Sequence, residues 1–295
     1  MHLFLAVDGS DCARAAEEML SQFPFGDAPQ LTVATVCPAA DLHSIGADVT
    51  SPITEMLDRC REDAARLLAE TVDRCQSWAS QVDSLMLDGH PADELLRAAE
   101  HLQPDLVVVG SRGLGPVRRF LLGSVSERIA KHTHCSVLVT RRREQPLQVK
   151  SIVVAYDGSP ASVAALDRLA QLPLTANCRI HLISVVETVH VYGSELVLDG
   201  TGEADAERQT ALARLEEAAV RWKDSAAQVD LGVTSSPDVA GAILDAAEKR
   251  HADLIVVGSR GKSAWERFLL GSATLRILHQ APCSIWVERP RSRPA

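Results

Sequence analysis

A chain of 295 residues is long enough for two ordinary domains with full cores, and its 46% hydrophobic and 23% charged residues are those of a globular protein. The formal net charge of -9 argues against a generic nucleic-acid surface. No apolar run approaches the length of a membrane span, so neither nucleic acid nor membrane is an expected partner.

In chain order, residues 2–8 read as a buried strand ending at Asp8-Gly9. Residues 11–22 have helical spacing, after which Pro24, Gly26 and Pro29 break the chain. A second strand is expected over 31–36, a polar loop from Pro38 to Pro52, and an amphipathic helix from about Ile53 to Trp78. Val82 to Leu87 reads as a third strand. Pro91 fits the first turn of a helix ending near Leu102, and 105–109 is the fourth strand. Ser124 is expected to cap the next helix, with Glu127 three residues later completing a capping box. Val137 to Thr140 is the fifth strand, and 141–146 is a polar linker broken by proline.

The pattern then restarts near Val149. Leu5-Ala6-Val7-Asp8-Gly9-Ser10 recurs as Val154-Ala155-Tyr156-Asp157-Gly158-Ser159, and Gly110-Ser111-Arg112-Gly113 as Gly258-Ser259-Arg260-Gly261. Arg119 to Ser124 recurs unchanged as Arg267 to Ser272, and Cys135-Ser136-Val137 returns as Cys283-Ser284-Ile285. A near-constant offset of about 148 residues is far too long for a solenoid, so residues 1–143 and 149–290 are expected to be two copies of one domain. The long helix of the second copy falls near 203–225, while Ser235-Ser236-Pro237-Asp238 has no clean match to Asp88-Gly89-His90-Pro91.

Strands alternating with helices, several of them continuously apolar, predict an α/β fold with doubly wound, parallel sheets. In such sheets ligands sit beyond the carboxyl ends of the strands, where the winding reverses. Asp8 and Asp157 end the first strands; Gly110 and Gly258 end the fourth. With a strand order 3-2-1-4-5 these ends are neighbours, and one crevice collects a carboxylate, a glycine loop and a helix N-terminus. That combination suits a nucleotide, with loop and helix end on phosphate. A glycine pair after a strand is often only a turn, and Asp8 alone reads as a turn residue; recurrence of the whole set argues for more.

The spacing Gly-x2-Gly-x9-Gly-Ser between strand and helix resembles the ATP-binding signature of universal stress proteins, and the resemblance covers nearly the whole chain. It implies a tandem two-domain member with flavodoxin-like, Rossmann-like five-stranded domains that dimerise through the fifth strand. It also implies ATP as ligand, with or without Mg²⁺. Carried over by position, the candidate contacts in the first copy are Ala6, Asp8, Val36, Gly110, Ser111, Arg112, Gly113, Gly123, Ser124 and Val125. In the second copy they are Ala155, Asp157, Val185, Gly258, Ser259, Arg260, Gly261, Gly271, Ser272 and Ala273.

Three other motifs fail on inspection. Gly261-Lys262-Ser263 echoes a Walker A loop, but Val256 stands where that loop needs glycine. His132, His134 and Cys135 have Gln280, Pro282 and Cys283 as counterparts, so no metal site is expected. Asp8-Gly9-Ser10 lacks the G-x-S-x-G frame of a nucleophile elbow. No general base stands beside the loops, so catalysis beyond slow ATP hydrolysis is not expected. The expected function is an ATP-binding stress-response sensor or partner module; a slow ATPase and an interaction protein with vestigial pockets are the alternatives. Seven dispersed cysteines without a CxxC pair, and no signal peptide, fit a cytoplasmic protein. The apolar fifth strands are expected to lie at sheet edges and to pair the two repeats, with room for a homodimer and for protein partners of unknown identity.

Overall fold

Strands buried on both faces cannot alternate apolar and polar residues, and the short Val/Ile/Leu runs of this chain form parallel ladders of that kind. The computed structural model describes residues 1–38, 52–113, 122–142, 149–188, 202–225, 227–261 and 270–290. The chain divides into two units, Met1–Pro146 and Leu147–Ala295.

The first unit runs β1 (His2–Ala6), α1 (Asp11–Gln22), β2 (Gln30–Cys37), α2 (Pro52–Cys75), β3 (Gln81–Asp88), α3 (Pro91–Leu102), β4 (Leu106–Gly110), α4 (Ser124–His132) and β5 (Ser136–Thr140). β1 pairs with β2 and β4, β2 with β3, and β4 with β5, all in parallel. The order is β3-β2-β1-β4-β5, and the winding reverses between β1 and β4. Parallel crossovers are right-handed, so α1 and α2 cover one face and α3 and α4 the other. α1 rests on β4 and β5, α2 on β2 and β3, and α3 packs beside α4. Leu3, Phe4, Leu5, Val108 and Leu138 are fully buried between these layers. β3 is an edge strand and shows it: no residue from Gln81 to Asp88 is buried.

The second unit repeats the plan with β6 (Ser151–Ala155), α5 (Pro160–Ala170), β7 (Arg179–Glu187), α6 (Gly202–Ala219), β8 (Gln228–Ser236), α7 (Val239–Lys249), β9 (Leu254–Gly258), α8 (Ser272–Gln280) and β10 (Ser284–Glu288). A 3₁₀ turn, Val220–Trp222, follows α6. The pairings give β8-β7-β6-β9-β10, again parallel throughout.

Two details differ from the sequence expectation. The first strand stops at Ala6 rather than Asp8, because its ladder to β2 ends with Val7 N–H on Ala34 O (2.8 Å) and the chain turns at Gly9, φ +78°. Ser124 does not cap α4. Gly123 occupies the cap position in extended conformation, Ser124 is the first helical residue, and no side-chain cap bond forms. The cause is the Gly123 N–H, tied to Ser111 O at 2.7 Å, which sets the entry of the chain one residue early. Glu127 reaches forward to Lys131 instead of back to the cap (2.5 Å). Part of the expected linker and of the loop from Pro38 to Pro52 lies outside the described residues.

Candidate functional site

The site begins with a turn. Asp8 Oδ1 accepts the Ser10 N–H (3.0 Å), closing the turn after β1. Ser10 Oγ then accepts the Ala13 N–H at the start of α1 (3.2 Å) and donates to Arg112 O (3.2 Å). One hydroxyl therefore fastens the loop after β1 to the loop after β4. The second unit repeats the device. Asp157 Oδ1 accepts the Ser159 N–H at 2.9 Å, and Ser159 Oγ donates to Arg260 O at 3.1 Å.

The glycines divide into two tasks. A Cβ on Gly110 would meet Cys12 C at 2.8 Å and Ala13 N at 2.9 Å, and one on Gly258 would meet Ala161 C and Ser162 N at 2.8 Å. These residues let the first turn of α1, or of α5, rest on the end of the fourth strand of its unit. A Cβ on Gly113 would instead strike the Asp8 carboxylate, and one on Gly261 would lie 2.9 Å from Asp157 Oδ2. Gly113 and Gly261 bring the carboxylate against the loop backbone.

The remaining polar groups come from the backbone. The Ala34 carbonyl points toward β1, where it accepts from Val7. Strand alternation turns the Val36 N–H and C=O to the same side, past the end of β1, so they face the crevice. At α4 the first-turn N–H groups have no intrahelical acceptor. Gly123 N–H is already spent on Ser111 O, which leaves those of Ser124, Val125 and Ser126 at the positive end of the helix.

These groups border a cavity of about 670 Å³ in the first unit. Ala6, Asp8, Val36, Gly110, Arg112, Gly113, Gly123, Ser124 and Val125 all line it. Ser111 does not: it is 1% exposed, its N–H bonds Thr140 O at 2.8 Å and its hydroxyl faces Cys12 Sγ. Sequence reasoning missed the wall supplied by α2 (Cys60, Asp63, Ala64 and Leu67) and the floor residue Ala34. The helical spacing of α2 marked a buried face but carried no sign of which strand end it overhangs. Cys37 also lines the cavity; burial first, then the charge of Asp88, raises its thiol pKa, so it stands as a neutral thiol.

The second unit gathers Ala155, Asp157, Val185, Gly258, Arg260, Gly261 and Ala273 in the same arrangement, but around a cavity of about 100 Å³. Ser259, Gly271 and Ser272 do not line it, and none of the described side chains of α6 does. Ser259 is buried, with its N–H on Glu288 O at 2.8 Å. Two substitutions narrow the floor. Tyr156 stands at the Val7 position and Ile183 at the Ala34 position, each fixed by an equivalent strand-end bond, Tyr156 N–H to Ile183 O at 2.8 Å.

Fold and site thus define a class: a duplicated, doubly wound α/β protein with a loop-and-helix-end pocket at the switch point of each copy. The family model "Universal stress protein family" matches residues 1–141 and 148–289, and the chain belongs to that family as a tandem member. A universal stress protein of Mycobacterium tuberculosis is 26% identical over 269 residues, covering 85% of this chain and 87% of its own. A crystal structure of a universal stress protein from Archaeoglobus fulgidus has the same fold. It aligns at TM-score 0.70 and 24% identity, covering 99% of this chain and 97% of its own. Another solved universal stress protein, in complex with cAMP, covers 48% of this chain and 98% of its own at 26% identity, with a TM-score of 0.37.

Proposed function

We propose that the cavity of the first unit binds an adenine nucleotide, ATP above all, and that the protein acts as a nucleotide-dependent sensor or partner module of the stress response. One observation carries this reading. A cavity of about 670 Å³, well within the range of ligand pockets, is bordered at one end by uncommitted strand backbone and at the other by a carboxylate, a glycine loop and a helix N-terminus. In this reading the Val36 N–H and C=O meet the base edge, Asp8 accepts from a ribose hydroxyl, and the phosphates lie along Arg112-Gly113 and the first turn of α4. A Mg²⁺ ion would arrive with the phosphates; among the described residues Asp8 and Asp63 are the carboxylates lining the cavity.

The finer assignments belong to the same proposal: one nucleotide per chain, a cytoplasmic protein, association of the two repeats with each other, and turnover that is slow or nil. Among the described residues lining the cavity, the Asp8 carboxylate is held by the Ser10 N–H and the Cys37 thiol, its pKa raised, is a poor nucleophile. Mass spectrometry of the purified chain should find an adenine nucleotide, or added ATP should bind at equilibrium. Rapid phosphate release that survives repurification and vanishes in Gly113→Ala would show an ATPase instead.

A further inference from the structure

The second unit has another concavity, at the amino ends of its strands and so away from the crevice. It measures about 350 Å³ and is lined by Lys150, Arg179, His181, Gln228 and Arg250 among others. Four basic side chains in one small depression are unexpected on a chain of net charge -9. The duplication supplies an internal comparison. Ladder register places Gln30 and Thr32 of the first unit where the second has Arg179 and His181. Met1 and Leu102 stand where the second unit has Lys150 and Arg250. The frame beneath is unchanged, since Asp105 accepts the His2 N–H (2.7 Å) as Asp253 accepts that of Ser151 (2.9 Å). Lys150, Arg179 and Arg250 have no cationic side chain at the matching positions of the first unit, whose histidine in this region, His2, shares a hydrogen bond with Thr32 Oγ1 (2.9 Å).

Two of the four basic groups are uncommitted. Among the described residues neither the Lys150 ammonium nor the Arg250 guanidinium has a hydrogen bond or ion pair. Arg179 bonds Gln228 Oε1 (3.2 Å) and lies 3.9 Å from the half-exposed Asp230. His181 is 6% exposed, and its buried Nδ1 lies 3.2 Å from Asp230 Oδ2, close enough for a charge interaction but without hydrogen-bond geometry. Burial first, and then the Arg250 charge, hold the His181 pKa below its usual value against the pull of Asp230. An uncommitted ammonium and an uncommitted guanidinium beside Arg179 and the His181 ring make a cationic depression suited to an oxyanion.

We infer that this concavity binds the phosphate group of a small phosphomonoester. Guanidinium forks match tetrahedral oxyanions in two-bond geometry, with Lys150 as a supplementary point charge. Water takes roughly 30 Å³ of liquid, so a bare oxyanion fills only part of this space and leaves room for an organic substituent. The inference is independent of the nucleotide reading, because none of these residues borders the crevice.

The test is a titration of the full chain followed by histidine-ring NMR, with the His181 signal assigned by its loss in His181→Thr. Inorganic phosphate and ribose 5-phosphate are added in turn to a chloride buffer. The His181 signal should shift saturably, and ribose 5-phosphate should bind the more tightly. Arg179→Gln with Arg250→Leu, the side chains the first unit carries, should weaken both by at least about tenfold. The exposed Lys150→Met should weaken them less, and it serves as the variant least able to disturb the fold. Unchanged affinity in both variants, or a shift that never saturates and is reproduced by chloride, overturns the site. Equal affinity for the two probes overturns the ester.

Discussion

The two crevices share a scaffold and differ in what it leaves open. Each has an Asp-Gly-Ser turn stapled to the next loop, a glycine under the first helix and a glycine against the carboxylate. Yet the first holds a cavity of about 670 Å³ and the second one of about 100 Å³. The contrast teaches that the glycine signature builds the switch-point turn, whereas the size of the pocket is set by residues outside it. Val7 and Ala34 keep the first floor low; Tyr156 and Ile183 raise the second.

The largest expected effect follows from exchanging those floors. Ala34→Ile should weaken adenine nucleotide binding by about 100-fold or more, near 3 kcal/mol, by placing a branched side chain where the base would lie. The reverse exchange, Tyr156→Val with Ile183→Ala, should open a second, weaker site at a stability cost of about 2–4 kcal/mol. Equilibrium dialysis with labelled ATP reads both. An Ala34→Ile chain that binds normally would break the comparison.

Next come the glycines that the two units use alike. Gly110→Ala and Gly258→Ala should each destabilise the protein by about 2–3 kcal/mol, because the new Cβ meets helix backbone that cannot turn aside. Urea unfolding without nucleotide should show the loss in both variants. A loss seen only when ATP is present would reassign these glycines to the ligand.

A smaller difference lies behind the crevices. Glu17 on α1 is clamped by Arg74 of α2 through two bonds, 2.6 and 2.9 Å, while the matching position on α5 is the fully buried Leu166. Arg74→Ala leaves a carboxylate with 10% side-chain exposure unpaired. The arginine itself is half in solvent, so the cost should be about 1–3 kcal/mol, read by urea unfolding. Arg74→Ala with Glu17→Leu, copying the second unit, should recover most of it.

The smallest effect concerns pH. His181 has its folded pKa lowered, chiefly by burial, so folding favours the neutral ring. That contribution is complete above about pH 6.5 and is lost as the pH falls through the lower folded value. His181→Thr should therefore flatten part of the acid-side decline in stability, measured by urea midpoints between pH 7 and 5. An unaltered slope would mean the ring is solvated.

Much of this was legible in the sequence, for identifiable reasons. The α/β class followed from apolar runs such as 106–109 alternating with helical spacing, and the duplication from repeated motifs. Most candidate contacts of the first copy line one cavity because a short loop after β1 and another after β4 must meet where the winding reverses. Three features were not legible. The cap of α4 moved from Ser124 to Gly123 because the bond that Gly123 N–H donates to Ser111 O, remote in sequence, outweighs local capping preference. Ser111 and Ser259 turned inward for a similar reason, their N–H groups serving the neighbouring strands. Part of the difference in volume lies in Ala34 against Ile183, two apolar residues that read alike in a hydrophobic pattern, and part in the wall that α2 supplies to the first cavity.

The central claim is that the first unit is the nucleotide-binding unit, and stoichiometry tests it most directly. ATP titrated into the wild-type chain should saturate at one equivalent, fall to none in Gly113→Ala, and remain at one in Gly261→Ala. Two equivalents in the wild type, or a single equivalent lost with Gly261→Ala and kept with Gly113→Ala, would contradict it.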